Sequence, residues 1–295
     1  MRAAVPFLSL FLLVAFSTRG AEGAPATAAG NPFPVRLSTR LPAQGEPIFV
    51  EVSPLPGADN VVMIWKGKEV PMKADGPGRF LGLVGIDLLE TPGKAVLSFR
   101  AEAGGETLLY DETIRIRKKD FPVQKLSLPE EMTRFDKETL ERIRREARHL
   151  EERFSRASSP PAWSVPFLPP VEDFRPKGFG SRRIINGEPR SPHAGVDVTL
   201  PAGTPVVAIA DGVVTFAGEQ FFGGNSVVMD HGGGVFSVYY HLQEYAVSEG
   251  QQVVRGERIG AVGASGRATG PHLHFSVRAA GGRIDPSFLF PPPPR

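Results

Sequence analysis

The stretch GPHLHFSV, residues 270–277, fixes a local geometry before any other part of the chain does. It is β-prone and alternating, and a β-strand turns successive side chains to opposite faces. His272 and His274 therefore share one face, about 7 Å apart at ~3.4 Å rise per residue. Leu273, Phe275 and Val277 share the other face and point towards a core. Two imidazoles side by side suit a metal ion, provided the rest of the chain supplies further ligands. The supply is short, with six histidines and no cysteine in 295 residues. Without cysteine there are no disulfides, thiolate ligands or cysteine nucleophile. A metal has to be held by histidine and carboxylate.

Five of the six histidines fall between residues 193 and 274. SPHAGVDVTL carries His193 and Asp197, with Gly195 read as allowing a tight bend between them. In VFSVYYHL, strict alternation puts Val235, Ser237, Tyr239 and His241 on one face, and Phe236, Val238, Tyr240 and Leu242 on the other. A catalytic zinc takes three protein ligands and keeps one position for water, and nitrogen and oxygen donors without sulfur suit that metal. Two histidines and a carboxylate make such a site, and two histidines remain for proton transfer. Spacing leaves open which histidine of the HLH pair binds. His231, at the start of the turn MDHGGG, is read as structural, and His149, on a charged helix, as a surface residue.

Glycine (33) and proline (29) are abundant and favour short strands joined by turns. Residues 31–118 contain the strand-like runs EPIFVEVS, NVVMIW, AVLSF and TIRIR between turn clusters, with Ile48, Val50 and Val52 on one face. This spacing suggests a small immunoglobulin-like β-sandwich. Residues 119–162 read as a helical linker, in which Leu140, Ile143, Ala147, Leu150 and Phe154 form one stripe and Asp136 is the N-cap. Residues 163–290 are β-rich again, and PVVAIADGVVTFAG predicts a hairpin around Asp211 and Gly212. A second hairpin is predicted from SVVMDH through the GGG turn into VFSVYYHL. Residues 291–295 form a Pro-rich tail. At the start, Arg2 and the apolar run Ala3–Phe16 are too short for a spanning helix and fit a signal peptide of residues 1–24, with cleavage after Gly20, Gly23 or Ala28. The chain is therefore expected to be exported, with no membrane span in the mature protein. A net charge of +2 is too small to argue for nucleic acid as a partner.

HAGVD, YYHL and GPHLHF, in this order, resemble the lysostaphin-type (LytM-type) zinc metallopeptidases. FGSRRIINGEPRSPHAGVD, GTPVVAIADGVV and GERIGAVGASGRATGPHLHF are similar to that family's pattern as well, so the resemblance covers roughly residues 175–290. It implies an antiparallel β-sheet domain with a groove and a zinc ion at its floor. It implies that His193, Asp197 and His274 are the zinc ligands and that His241 and His272 are catalytic. A zinc-bound water near neutral pKa then loses a proton to an imidazole and attacks a peptide carbonyl. Ser276 stands where the family often has glutamate. The resemblance implies an exported peptidoglycan hydrolase acting on peptide stems, periplasmic or alternatively secreted, and cutting between D-alanine and meso-diaminopimelate. The alternative is a silent or latent regulator that activates cell-wall amidases, other cell-wall enzymes then being its partners. A further reading is a peptidase acting on glycine-rich proteins. The long preface before residue 163 suggests latency, in which case residues 163–295 alone are more active than the whole mature chain.

Overall fold

Runs of β-branched and aromatic residues between glycine turns become strands throughout, and nearly all of them pair antiparallel. The computed structural model describes residues 33–127, 129–155 and 160–290. The expected signal peptide, its cleavage positions and the Pro-rich tail lie outside these residues.

Two four-stranded sheets occupy the first part of the chain. One orders Val35–Leu37, Pro47–Val52, Phe80–Gly85 and Lys73–Ala74; the other orders Lys68–Pro71, Ala58–Trp65, Gly93–Ala103 and Glu106–Ile116. The predicted face of Ile48, Val50 and Val52 is buried in one cluster with Met63, Trp65, Leu97 and Phe99 of the second sheet. The reverse side of the first sheet is also covered. Leu83 belongs to the core of the following region, and the partly buried Phe49 packs against it.

That region is built on a nine-stranded sheet. Its path runs through Val196–Thr199, His272–Ala279, Val235–Tyr245, Gly224–Asp230, Gly212–Gln220 and Gln252–Val253. Leu273, Phe275 and Val277 fill the core beneath it with Val227, Met229 and Tyr239, as the alternation of residues 270–277 predicts. The hairpin through the GGG turn is present, since Gly224–Asp230 pairs antiparallel with Val235–Tyr245. The hairpin predicted at Asp211 and Gly212 is not. Pro205–Val207 pairs with Arg258–Val262, and Gly212–Gln220 pairs with Gly224–Asp230. The intervening Ala208, Ile209 and Ala210 are fully buried, and the Ile209 N–H bonds the Tyr239 hydroxyl. An apolar triplet that fills the core cannot be a solvent-facing turn, so the chain passes through to new partners.

Helix α1 spans Lys137–Ser155, and the Asp136 carboxylate accepts the Thr139 N–H at 2.8 Å, as expected for an N-cap. None of its residues is buried. It lies against the same face of the nine-stranded sheet that carries His274, with Phe154 edge-on to Phe236 at 5.3 Å. Arg278 pairs with Glu151, Arg153 donates to the Thr215 carbonyl and pairs with Glu249, and Glu146 accepts the Phe221 N–H. A cavity of about 210 Å³ remains underneath, lined in part by Ala147, Leu150, Phe154, Tyr240, His274 and Ser276. The helix is therefore a roof held at its rim by polar contacts, with space below it.

The two β regions meet backbone to backbone where Gly85 passes Gly282. A Cβ on Gly282 would stand 2.2 Å from the Gly85 carbonyl oxygen. Beside it, Arg283 makes a forked pair with Asp87, at 2.8 Å from Nε and 2.6 Å from a terminal nitrogen. Neither backbone can yield without moving its sheet. Gly282→Ala is expected to cost at least about 2 kcal/mol. That is roughly 4 °C or more in the thermal midpoint, measured by calorimetry on wild type and variant. An unchanged midpoint would contradict so close an approach.

Candidate active site

Strand pairing assembles the centre. Asp197 is the register partner of His274 on the neighbouring strand, and Thr199 is that of His272. On the other side Tyr240 is the partner of His274. One Asp197 oxygen lies 2.9 Å from His274 Nδ1, 3.2 Å from His193 Nε2 and 3.9 Å from His272 Nε2. His193 Nε2 and His274 Nδ1 are themselves 2.9 Å apart. Gly195 serves a purpose other than the expected bend, for it is not among the left-handed glycines. A Cβ there would stand 2.8 Å from His274 Nε2 and 2.6 Å from the Phe275 carbonyl oxygen. Glycine lets the His193 loop lie flat against the histidine strand.

His241 reaches the site by a route that alternation does not predict. The expectation placed it on the face of Tyr239, which is buried in the core. The ladder instead runs from Val227 opposite Tyr239 to Asn225 opposite Leu242, leaving an extra residue on the histidine side. His241 takes φ of 61° at this bulge, a conformation costly for a non-glycine residue unless its surroundings impose it. Its N–H bonds the Gly223 carbonyl at 2.7 Å and its Nδ1 lies 2.9 Å from the Ser265 carbonyl. The bulge re-aims the side chain, so that its ring centre stands 4.7 Å from that of His272.

Three of the imidazoles are held in the same way. Nδ1 of His193 faces the Gly178 carbonyl at 3.0 Å, Nδ1 of His241 faces that of Ser265, and Nδ1 of His272 faces that of Gly270 at 2.8 Å. A carbonyl only accepts, so each Nδ1 carries the hydrogen and each Nε2 keeps its lone pair. All five residues singled out from the sequence therefore converge, with the Nε2 atoms of His193 and His272 turned to one carboxylate. His231 does not join them. It is fully buried, bonded to the Asp211 carbonyl and the Ser237 hydroxyl, the structural position expected of it. Tyr240, which the sequence reading left without a role, stacks on His274 with ring centres 5.5 Å apart and planes 16° from parallel.

His193, Asp197 and His274 offer ligand atoms that all lie within 4.8 Å of one another. Two bonds of 2.0–2.1 Å at a tetrahedral angle place donor atoms about 3.3 Å apart, close to the 2.9–3.2 Å found between these three. Two nitrogens and a carboxylate oxygen that crowd one point, with His193 held in the tautomer that frees Nε2, fit a divalent metal. Burial pushes the Asp197 carboxyl up, but the close approach of the His193 and His274 rings outweighs it and holds the carboxyl far below the usual range. Burial lowers His274, against the pull of Asp197. Burial likewise lowers His241 to about 4, the Ser265 carbonyl opposing and the neighbouring histidines reinforcing it.

Residues 191–286, which enclose all five side chains, match the model of peptidase family M23. The chain is also similar over most of its length to a crystal structure assigned to peptidase M23 from Pseudomonas aeruginosa. The two share 30% identity and a TM-score of 0.64, covering 84% of this chain and 94% of that one. The chain belongs to peptidase family M23. Among curated M23-like relatives it is 46% identical over 102 residues to a DD-carboxypeptidase/endopeptidase, Mpg, of Neisseria meningitidis. It is 45% identical over 104 residues to the peptidoglycan DD-endopeptidase ShyA of Vibrio cholerae. The matched segment is 35% of this chain and 24% of each of these two relatives.

Two outcomes are expected of this M23 site. Replacing His193, Asp197 or His274 by alanine weakens metal binding by at least about 100-fold, whereas His241→Ala and His272→Ala retain it. The benchmark is the 10–100-fold cost of losing mere supporting contacts, and calorimetric titration of metal into the apo-protein decides. The second concerns acid. Burial lowers His231 to about 4 from an ordinary 6.5. The unfolded chain then binds the extra proton first, so stability is full above pH 6.5 and falls as pH drops towards 4. The loss is on the order of 3 kcal/mol for this group. Urea unfolding of the metal-free protein across this window should show the decline, and a shallower one in His231→Gln.

Proposed function

We propose that this M23 protein is a zinc endopeptidase that hydrolyses peptide cross-links of peptidoglycan after export, in the periplasm or alternatively outside the cell. The observation that carries the reading is the convergence of His193, Asp197 and His274 on one point, with His272 and His241 beside it. Relatives named as peptidoglycan DD-endopeptidases supply the substrate class. Their names give no support to an amidase activator. In this reading residues 163–290 are the peptidase domain, 31–118 an immunoglobulin-like module and 119–162 the linker between them.

His193, Asp197 and His274 hold the metal. Zinc, when bound, supplies a Lewis acid and brings the pKa of a ligated water towards about 7. His241 and His272, each fixed through Nδ1 by a carbonyl, present Nε2 to the reacting centre. An imidazole so placed accepts the proton of the attacking water. Once protonated it donates a hydrogen bond to the carbonyl oxygen, or passes the proton to the leaving amine. Tyr240 keeps the His274 ring in plane by stacking on it.

The position of helix α1 favours a restrained form of this enzyme. Its underside, Ala147, Leu150 and Phe154, faces Tyr240, His274 and Ser276 across a cavity. Its attachments to Arg278, Glu249 and the Phe221 N–H are exposed or half-exposed polar contacts, worth about 0–1 kcal/mol each. A roof held so lightly can leave when a substrate strand arrives.

Two measurements test this. Zinc-loaded protein incubated with isolated sacculi should consume cross-linked dimers, as read by mass spectrometry, and a chelator should stop the loss. His272→Ala should fall at least about 100-fold in rate while keeping its zinc. Unchanged dimers with the zinc-loaded protein, roof loosened or not, would rule the reading out. For the restraint, the double variant Glu146→Ala/Glu151→Lys should work several-fold faster than wild type, and equal rates would remove α1 from any inhibitory role.

A further inference from the structure

Two arginines stand at the M23 site without a carboxylate of their own. Arg183 lies in the strand Arg182–Ile185, ten residues before His193. It is half-buried, and its Nε is wholly buried with no hydrogen-bond partner. It is close enough to Asp197 and His274 for its charge to act on both. Arg267 comes from the opposite wall, two residues after Ser265, whose carbonyl holds His241. Its guanidinium lies 4.2 Å above the Phe222 ring, and one terminal nitrogen donates to the Met132 carbonyl at 3.2 Å. Arg183 and Arg190 both raise the positive field at Arg267. Among the described residues no aspartate or glutamate comes within 4.0 Å of any of these three guanidiniums, although most other arginines near the site have one.

This arrangement is costly as it stands. A buried N–H left without an acceptor is destabilising, and like charges gathered in a half-buried place repel one another. Asp197, the carboxylate that Arg183 feels, is committed to the histidines. What offsets the repulsion is an incoming anion with two acceptor oxygens, met by the terminal nitrogens of the guanidiniums, Arg183 Nε being enclosed. A carboxylate matches the guanidinium fork, and such pairs are among the stronger hydrogen bonds. The place is next to the reacting centre, so the anion belongs to the substrate.

We infer that Arg183 and Arg267, with Arg190 at the rim, form a subsite that takes a free carboxylate of the peptide beside the bond to be cut. The inference rests on the peptidase reading for the class of substrate. Nearest the cross-link, stem peptides offer two such groups, one on the diamino acid and one at the peptide terminus. The subsite requires a preference for acidic peptides over neutral ones of equal length. The Met132 carbonyl occupies one Arg267 donor now, and an arriving carboxylate replaces it.

The test uses the zinc-loaded full chain and three versions of one tetrapeptide stem. One is the free acid, one is amidated on the diamino acid, and one is amidated at the terminus. Calorimetry should give at least a tenfold weaker Kd for one amide, and which one names the carboxylate that binds. Arg183→Gln and, separately, Arg267→Gln should bring acid and amide within about twofold of each other, with zinc content and thermal midpoint kept. If Arg183→Gln does not fold, Arg267→Gln, on an outer loop, still decides. Equal affinity for all three peptides on wild type overturns the subsite, as does undiminished preference in the variants. Cleavage of sacculi is followed in parallel. Cleavage without carboxylate preference overturns the subsite alone, and preference without cleavage overturns the peptidase reading alone.

Discussion

The site depends on the bonds between three imidazole Nδ1–H groups and three backbone carbonyls. Gly178, Ser265 and Gly270 belong to two loops on opposite sides of the histidine strand. Each carbonyl selects a tautomer and fixes a ring, so the lone pairs that do chemistry are aimed by main chain. Main-chain acceptors cannot rotate away or titrate. The aim of His193, His241 and His272 therefore depends on loop conformation, and that in turn on glycine. Substitutions that deform these loops act on the chemistry without touching a ligand.

A second constraint is electrostatic. The nine-stranded sheet presents imidazole, carboxylate and tyrosine on one face, with the Arg183 guanidinium from a neighbouring strand near them, and Asp197 is the carboxylate bonded to its histidines. Helix α1 brings carboxylates to the edges of this face, at Arg278 through Glu151 and at the Phe221 N–H through Glu146. None reaches Arg183. The roof thus neutralises the periphery and leaves the cationic part of the centre open to an anion. Restraint and recognition occupy adjacent parts of one surface.

Much of this was legible in the sequence where local rules hold. The HLH alternation correctly gave one face to two histidines and the other to the core, because nothing interrupts the strand Thr199 pairs with. The helix stripe and its Asp136 cap followed from spacing alone. Alternation failed at His241, where a bulge adds a residue that no local pattern announces. It did separate Tyr239 from Tyr240, one in the core and one on the metal side, but grouped His241 with the wrong one of the two. The AIADG segment carried a turn signal, yet its apolar half was needed inside. Arg183 gave no signal, since an arginine on a short polar strand is ordinary until its neighbours are known to lack acids. The residues that failed are those whose environment comes from distant chain.

The Gly85–Gly282 crossing and the Asp87–Arg283 fork lie on the short strand that follows directly from the histidine strand. Leu83 of the first sheet sits in the second core, and Ala280 of the turn sits in the first. The two β regions are thus mechanically in series with His272 and His274. A force applied to the amino-terminal part would pass through Asp87 and Arg283 into the strand that carries both imidazoles. The preface is a load path into the active site as well as a neighbour of it.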